Sequence, residues 1–126
     1  MKKRILIVDD EKDMLDIMEA ILTVGGYSVL KASSGRDAIA MADKEHPDLI
    51  ILDIKMPNMD GVATTDVLKN HRATSEIPII YLSNLVGEDE VEDGHVPGSK
   101  IGDIHFIPKS YSPEELLAIV RKKLQP

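Results

Sequence analysis

Two acidic groups follow directly on apolar runs. Asp9, Asp10 and Glu11 come after Ile5-Leu6-Ile7-Val8, and Asp53 comes after Leu49-Ile50-Ile51-Leu52. Carboxylates held close together repel one another unless protons or a cation intervene. Oxygen-only donors suit a hard cation, and Mg²⁺ takes one or two carboxylates, several waters and a phosphate oxygen. If the two runs are neighbouring strands, Asp9, Asp10 and Asp53 make a Mg²⁺ site with room for a phosphoryl group. Ser83 ends a third run, Ile79-Ile80-Tyr81-Leu82, and its hydroxyl can donate to a phosphoryl oxygen. Lys109 follows a fourth, Ile104-His105-Phe106-Ile107, and its ammonium can reach the same oxygens. With Asp53 attacking in line, these parts suffice for phosphoryl transfer to an aspartate. Each residue also has a plainer reading: the acids, Ser83 and Lys109 are solvated, or Asp10 only caps the first helix.

The four runs do not alternate with polar residues, as expected of strands covered on both faces. Ser28-Val29-Leu30 is a fifth strand candidate. Helical patterns lie between the strands. Met14, Leu15, Met18, Ile21 and Leu22 recur at spacings of three and four, and Gly25-Gly26 stops that helix. Ala38, Ile39 and Ala42 mark a second helix ended by Pro47, and Val62, Val67 and Leu68 mark a third. The last helix opens on Ser112 as N-cap, Pro113 as first helical residue and Glu115 completing a capping box, with Leu116, Leu117, Val120 and Leu124 as its apolar face. Strands alternating with helices give an α/β protein with right-handed crossovers. Five strands in 126 residues predict a flavodoxin-like, doubly wound (βα)5 sandwich, a parallel sheet of order 2-1-3-4-5, forming one domain over 1–126. Ligands of such sheets sit at the carboxyl ends of the strands, at the switch point between strands one and three.

Composition removes several classes of function. There is no cysteine, hence no disulfide, thiolate nucleophile or cysteine metal site. The net charge is -7, opposite in sign to what phosphate neutralisation requires of a nucleic-acid binder. Aromatics are 3%, so bases have little to stack on. No apolar run approaches the ~20 residues that span a bilayer. The start, Met1-Lys2-Lys3-Arg4, leads into only four apolar residues, short of the roughly 7–15 of a signal peptide. A cytoplasmic protein that binds neither nucleic acid nor membrane is expected. His46, His71, His95 and His105 are scattered without metal-ligand spacing.

Over nearly its whole length the chain resembles a bacterial two-component response-regulator receiver domain, of the single-domain chemotaxis or phosphorelay kind. The resemblance rests on Ile5 to Glu11, on Pro47-Asp48-Leu49-Ile50-Ile51-Leu52-Asp53-Ile54-Lys55-Met56-Pro57-Asn58-Met59-Asp60-Gly61, on Pro78 to Ser83 and on Lys109 to Leu116. It implies that Asp53 accepts a phosphoryl group from a histidine kinase or histidine phosphotransfer protein. It implies Asp10, Asp53 and the Lys55 backbone carbonyl as Mg²⁺ ligands, with Asp9 acting largely through water. Ser83 and Lys109 would touch the phosphoryl group, and Phe106 holds the place of the family's switch aromatic, where a phenyl ring can rotate inward without a hydroxyl to bond.

Three features depart from the family pattern. Ser110 stands where a proline usually follows the lysine, and a cis bond to a non-proline costs roughly 2.5–4 kcal/mol, so a trans Lys109–Ser110 peptide is expected. Asn84 stands where a small residue is usual, beside the path of an attacking water. From Asn84 to Ile101 the chain carries Gly87, Gly94, Pro97 and Gly98, and every residue from Glu88 to Asp93 except Val91 is acidic. Glycine costs about 1 kcal/mol and proline about 3 in a helix interior, so the fourth helix is expected to be short or irregular.

A phosphoacceptor regulator acting through an unknown downstream protein target is therefore expected, as a monomer or weak dimer. It would be no enzyme, although it would catalyse its own phosphorylation and dephosphorylation at Asp53. The alternatives are a receiver-like interaction module that signals without phosphorylation, and a receiver cut from a larger regulator. A flavin-type cofactor binder would need Ser, Thr and Gly after strand one to cradle phosphate, where Asp9-Asp10 would repel it. A haloacid-dehalogenase-type phosphatase would need an acid two residues after Asp53, where Lys55 stands.

Overall fold

The computed structural model describes residues 2–54, 61–83, 105–108 and 110–125, with Ser83, His105 and Phe106 described as strand backbone. The elements are β1 (Arg4–Val8), α1 (Lys12–Val24), β2 (Ser28–Ala32), α2 (Gly35–Glu45), β3 (Leu49–Asp53), α3 (Gly61–Asn70), β4 (Ile79–Ser83), β5 (His105–Pro108) and α4 (Pro113–Leu124). All strands are parallel, in the order β2-β1-β3-β4-β5. The expected short or irregular helix after Ser83 lies outside the described residues, as does the Lys109–Ser110 peptide.

The period-two alternation of strands divides the core into two. Leu6, Val8, Ile50, Leu52, Ile79 and Tyr81 point to one face, where Ala38 and Ala42 of α2 and Leu68 of α3 cover them. Ile5, Ile7, Leu49, Ile51, Ile80, Leu82 and Ile107 point to the other, under Leu15, Met18 and Leu22 of α1 and Leu116 and Val120 of α4. Each such side chain contributes about 1.5–3 kcal/mol by leaving water. The three inner strands are apolar on both faces for this reason.

Local signals set the element ends. α1 stops where Gly26 takes φ +94°, a conformation that carries no strain for glycine. α2 ends at Glu45, and His46 before Pro47 adopts the left-handed cap, its N–H donating to the Ala42 carbonyl. At α4 the Ser112 hydroxyl accepts from the Glu115 amide at 3.1 Å and the Glu115 carboxylate accepts from the Ser112 amide at 3.0 Å. β5 runs one residue further than its apolar run, to Pro108, which pairs with Ser83.

The face of α3 differs from expectation. Val62 and Val67 are exposed, at 55% and 40%, and the buried stripe is Gly61, Thr64, Thr65 and Leu68. Those positions follow the i, i+3, i+4, i+7 spacing of one helix face. What rotates the helix this way is Gly61, whose missing Cβ lets the first turn lie directly on β3.

Candidate acidic phosphoacceptor site

Val8 and Leu52 are partners across β1 and β3, so Asp9 and Asp53 leave adjacent strands at the same level. Asp9 and Asp53 are buried and Asp10 is exposed. One carboxylate oxygen from each of the three lies within 4.8 Å of the others. The three expected acids are thus brought together at the switch point. Asp10 does not cap α1. Glu11 is the N-cap residue, without a side-chain cap bond, and its amide donates to Asp9 Oδ1 at 2.9 Å. That bond ties the buried Asp9 carboxylate to the start of α1, while Asp10 stays exposed.

At ~5 Å, two unit charges repel by roughly 3 kcal/mol at an effective dielectric of 20. Two such groups buried beside a third are the donor set of a hard divalent cation, oxygen-only and with one solvent-facing member. The residues present therefore fit Mg²⁺.

Asp53 is fixed from two sides. It pairs with Leu82 of β4, and the ladder continues one step further, the Ile54 amide donating to the Leu82 carbonyl at 3.1 Å. From below, Gly61 presses on its backbone. A Cβ on Gly61 would stand 2.6 Å from the Asp53 carbonyl oxygen and 2.7 Å from Ile54 Cα. The Gly61 amide donates to the Ile54 carbonyl at 2.7 Å. Ser83 is the last residue of β4, one step beyond the partner of Asp53, and Phe106 on β5 pairs with Tyr81. Lys55 and Lys109 lie outside the described residues.

Sequence reasoning missed Gly61 as a contact, and also three hydroxyls. Tyr81, buried on β4, donates to Thr65 Oγ1 at 2.5 Å, and the Thr65 hydroxyl donates to the Gly61 carbonyl at 2.8 Å. Tyr111 packs against the α1/α4 core, and its hydroxyl, buried, bonds to no described residue. Burial first, and then the charge of Asp9, hold that phenol above its ordinary pKa. The only available clue was a tyrosine two residues beyond Lys109.

A family model described as the response regulator receiver domain matches residues 5–121. The chain is 40% identical over 124 residues to the "Probable transcriptional regulator ycf27" of Porphyra purpurea, covering 98% of this chain and 48% of that one. It is 35% identical over 125 residues to the alkaline phosphatase synthesis transcriptional regulatory protein PhoP of Bacillus subtilis, covering 99% and 50%. The chain thus spans about half the length of the curated relatives it matches. Among solved structures, the chemotaxis protein CheY4 of Vibrio cholerae superposes with a TM-score of 0.85 at 27% identity, covering 98% of this chain and all of that one. The signal receiver domain of a signal transduction histidine kinase from Syntrophus aciditrophicus gives 0.79 at 31%, covering 97% and 89%.

Proposed function

Because this chain belongs to the response regulator receiver domain family of two-component signalling, we propose that Asp53 accepts a phosphoryl group from a histidine kinase or histidine phosphotransfer protein. The observation that carries this reading is the convergence of Asp9, Asp10 and Asp53 within 4.8 Å at the switch point of the sheet. Asp9, Asp10, Asp53 and the Lys55 carbonyl would hold Mg²⁺, Asp9 largely through water. The ion, when bound, offsets negative charge on the phosphoryl oxygens and on the acids themselves.

Asp53 supplies the nucleophile. One carboxylate oxygen attacks phosphorus in line, a P–O bond forms, the donor's P–N bond breaks, and the leaving imidazole nitrogen keeps the electron pair and takes up a proton. The strand pairing and the Gly61 contact hold the Asp53 backbone still while this happens. Ser83 donates its hydroxyl to a phosphoryl oxygen and Lys109 sets its ammonium against another. Movement of Ser83, with rotation of Phe106, would report the change to a protein target. The chain acts on itself rather than turning over a further substrate, and hydrolysis at Asp53 resets it.

In relatives of twice this length that are named as transcriptional regulators, a receiver of this kind would govern DNA binding by the remainder of the protein. This domain itself, at a net charge of -7, would meet proteins rather than nucleic acid. Among the described residues no helix is long and apolar enough to cross a membrane, and a cytoplasmic location suits a partner of kinases. Incubation with Mg²⁺ and acetyl phosphate, read by intact mass, tests the reading. One added phosphoryl group, lost in Asp53→Asn, is the expected result. No uptake by the folded protein, or uptake that persists in Asp53→Asn, overturns it in favour of a receiver-like module that signals without phosphate.

A further inference from the structure

We infer that the buried hydroxyl pair Tyr81–Thr65 is a positioning device for the phosphoacceptor site, holding Gly61 against the Asp53–Ile54 peptide. The inference rests on the proposed role of Asp53. The chain of contacts is continuous. Tyr81 on β4 donates to Thr65 on α3 at 2.5 Å, and Thr65 donates to the carbonyl of Gly61 at 2.8 Å. The Tyr81 hydroxyl is itself 3.5 Å from that carbonyl. Gly61 in turn lies on the Asp53–Ile54 peptide and bonds to the Ile54 carbonyl at 2.7 Å. Its backbone is therefore held from both sides: the amide by the strand that ends in Asp53, the carbonyl by hydroxyls anchored on the strand that ends in Ser83.

The surroundings make these bonds consequential. Thr65 is fully buried and Tyr81 is 2% exposed, in a core otherwise built from Leu, Ile, Val and Ala. A buried hydroxyl left without a partner costs about 1–3 kcal/mol, so the bonds these two hydroxyls make carry weight here. Hydrogen bonds in series polarise one another, which strengthens the link at Gly61. Aliphatic side chains at both positions would fill the same space with no directional hold on Gly61. The two hydroxyls therefore fix an orientation as well as a volume. Gly61 lies directly on the Asp53 carbonyl and Ile54 Cα, so a shift at Gly61 moves the backbone of the nucleophile. Misplacement by an ångström can cost about a hundredfold in rate.

Thr65→Val keeps the shape and removes the hydroxyl. Tyr81→Phe removes the other end, and Thr65→Ser restores the hydroxyl. Thr74→Val is the control, because Thr74 is an equally buried hydroxyl that donates to the Leu68 carbonyl at the far end of α3. Three quantities are read: the Mg²⁺ concentration for half-maximal stabilisation, the rate of phosphoryl uptake from acetyl phosphate at saturating Mg²⁺, and exchange of the Gly61 amide. Thr65→Val and Tyr81→Phe are expected to raise the first and lower the second by about tenfold, as supporting contacts of a metal site do, and to speed the third. Thr65→Ser should return all three to within about twofold of the parent, and Thr74→Val should lower the melting temperature alone. If Thr65→Val and Tyr81→Phe behave as Thr74→Val does, the pair is structural and the inference is overturned. A parent that takes up no phosphoryl group defeats the role of Asp53 instead, while Mg²⁺ affinity and Gly61 exchange still report on positioning.

Discussion

Asp10 is the member of the acid cluster that can be removed at least cost, because it is exposed while Asp9 and Asp53 are buried. Its charge still repels theirs, by up to about 1 kcal/mol through solvent. Asp10→Asn is therefore expected to raise the melting temperature slightly in the absence of metal and to abolish stabilisation by Mg²⁺, both visible in thermal melts with and without the ion. Unchanged Mg²⁺ affinity would remove Asp10 from the site. Tyr111 gives a second prediction at this scale. Its phenol is held above the ordinary value of 10.0 by burial and by Asp9. Above pH 10 the unfolded chain releases this proton while the native state retains it, so Tyr111 stabilises fully below that pH and the contribution is lost as pH rises through the folded value. In metal-free protein, Tyr111→Phe should flatten the alkaline limb of a stability–pH curve, and an unaltered limb would show that neither burial nor Asp9 raises the phenol. The three acids were legible as strand-end residues because topology alone brings them together. Tyr111 was not, because the burial of its hydroxyl depends on how α4 docks.

α3 shows what an element's pattern can and cannot reveal. Its apolar residues pointed to Val62, Val67 and Leu68, yet only Leu68 is buried. The helix is oriented by a contact that no hydropathy scale registers, the closeness of Gly61 to Asp53, and its buried face carries Thr64 and Thr65, the latter donating to the Gly61 carbonyl. Restoring a Cβ at Gly61 tests this. Gly61→Ala would place a methyl 2.6 Å from the Asp53 carbonyl, and relief of that overlap must come from backbone. A loss of about 1–3 kcal/mol in denaturant unfolding is expected, together with slower phosphoryl uptake, since the strand that moves is the one bearing Asp53. An alanine variant with parental stability would mean that α3 can slide along β3 freely. α4, by contrast, begins where Ser112, Pro113 and Glu115 predict, because a capping box is made within four residues and needs no partner element.

For the molecule as a whole, strand order and sheet direction were readable from the sequence, because four apolar runs separated by helical patterns admit few other windings. The pairing of buried hydroxyls between β4 and α3 was not, since each reads as an isolated polar residue until the layers are assembled. The same layering separates the effects of neighbouring residues. Ile50 and Ile51 are adjacent in β3, yet one belongs to the core under α2 and α3 and the other to the core under α1 and α4. Ile50→Val and Ile51→Val should each cost about 0.5–1.5 kcal/mol, and the double variant should equal their sum within about 0.5 kcal/mol. Ile7→Val with Ile51→Val, partners on one face, should depart from additivity, because each leaves space that the other's neighbours can enter. Denaturant unfolding of the two cycles measures the difference, and coupling in the first as large as in the second would mean that the sheet transmits repacking through its own plane. If the sheet does insulate, the helices of one face can accumulate substitutions with no compensating change on the other. The lineage can then vary the side carrying α1 and α4 at one pace and the side carrying the Tyr81–Thr65 link at another, within a single chain.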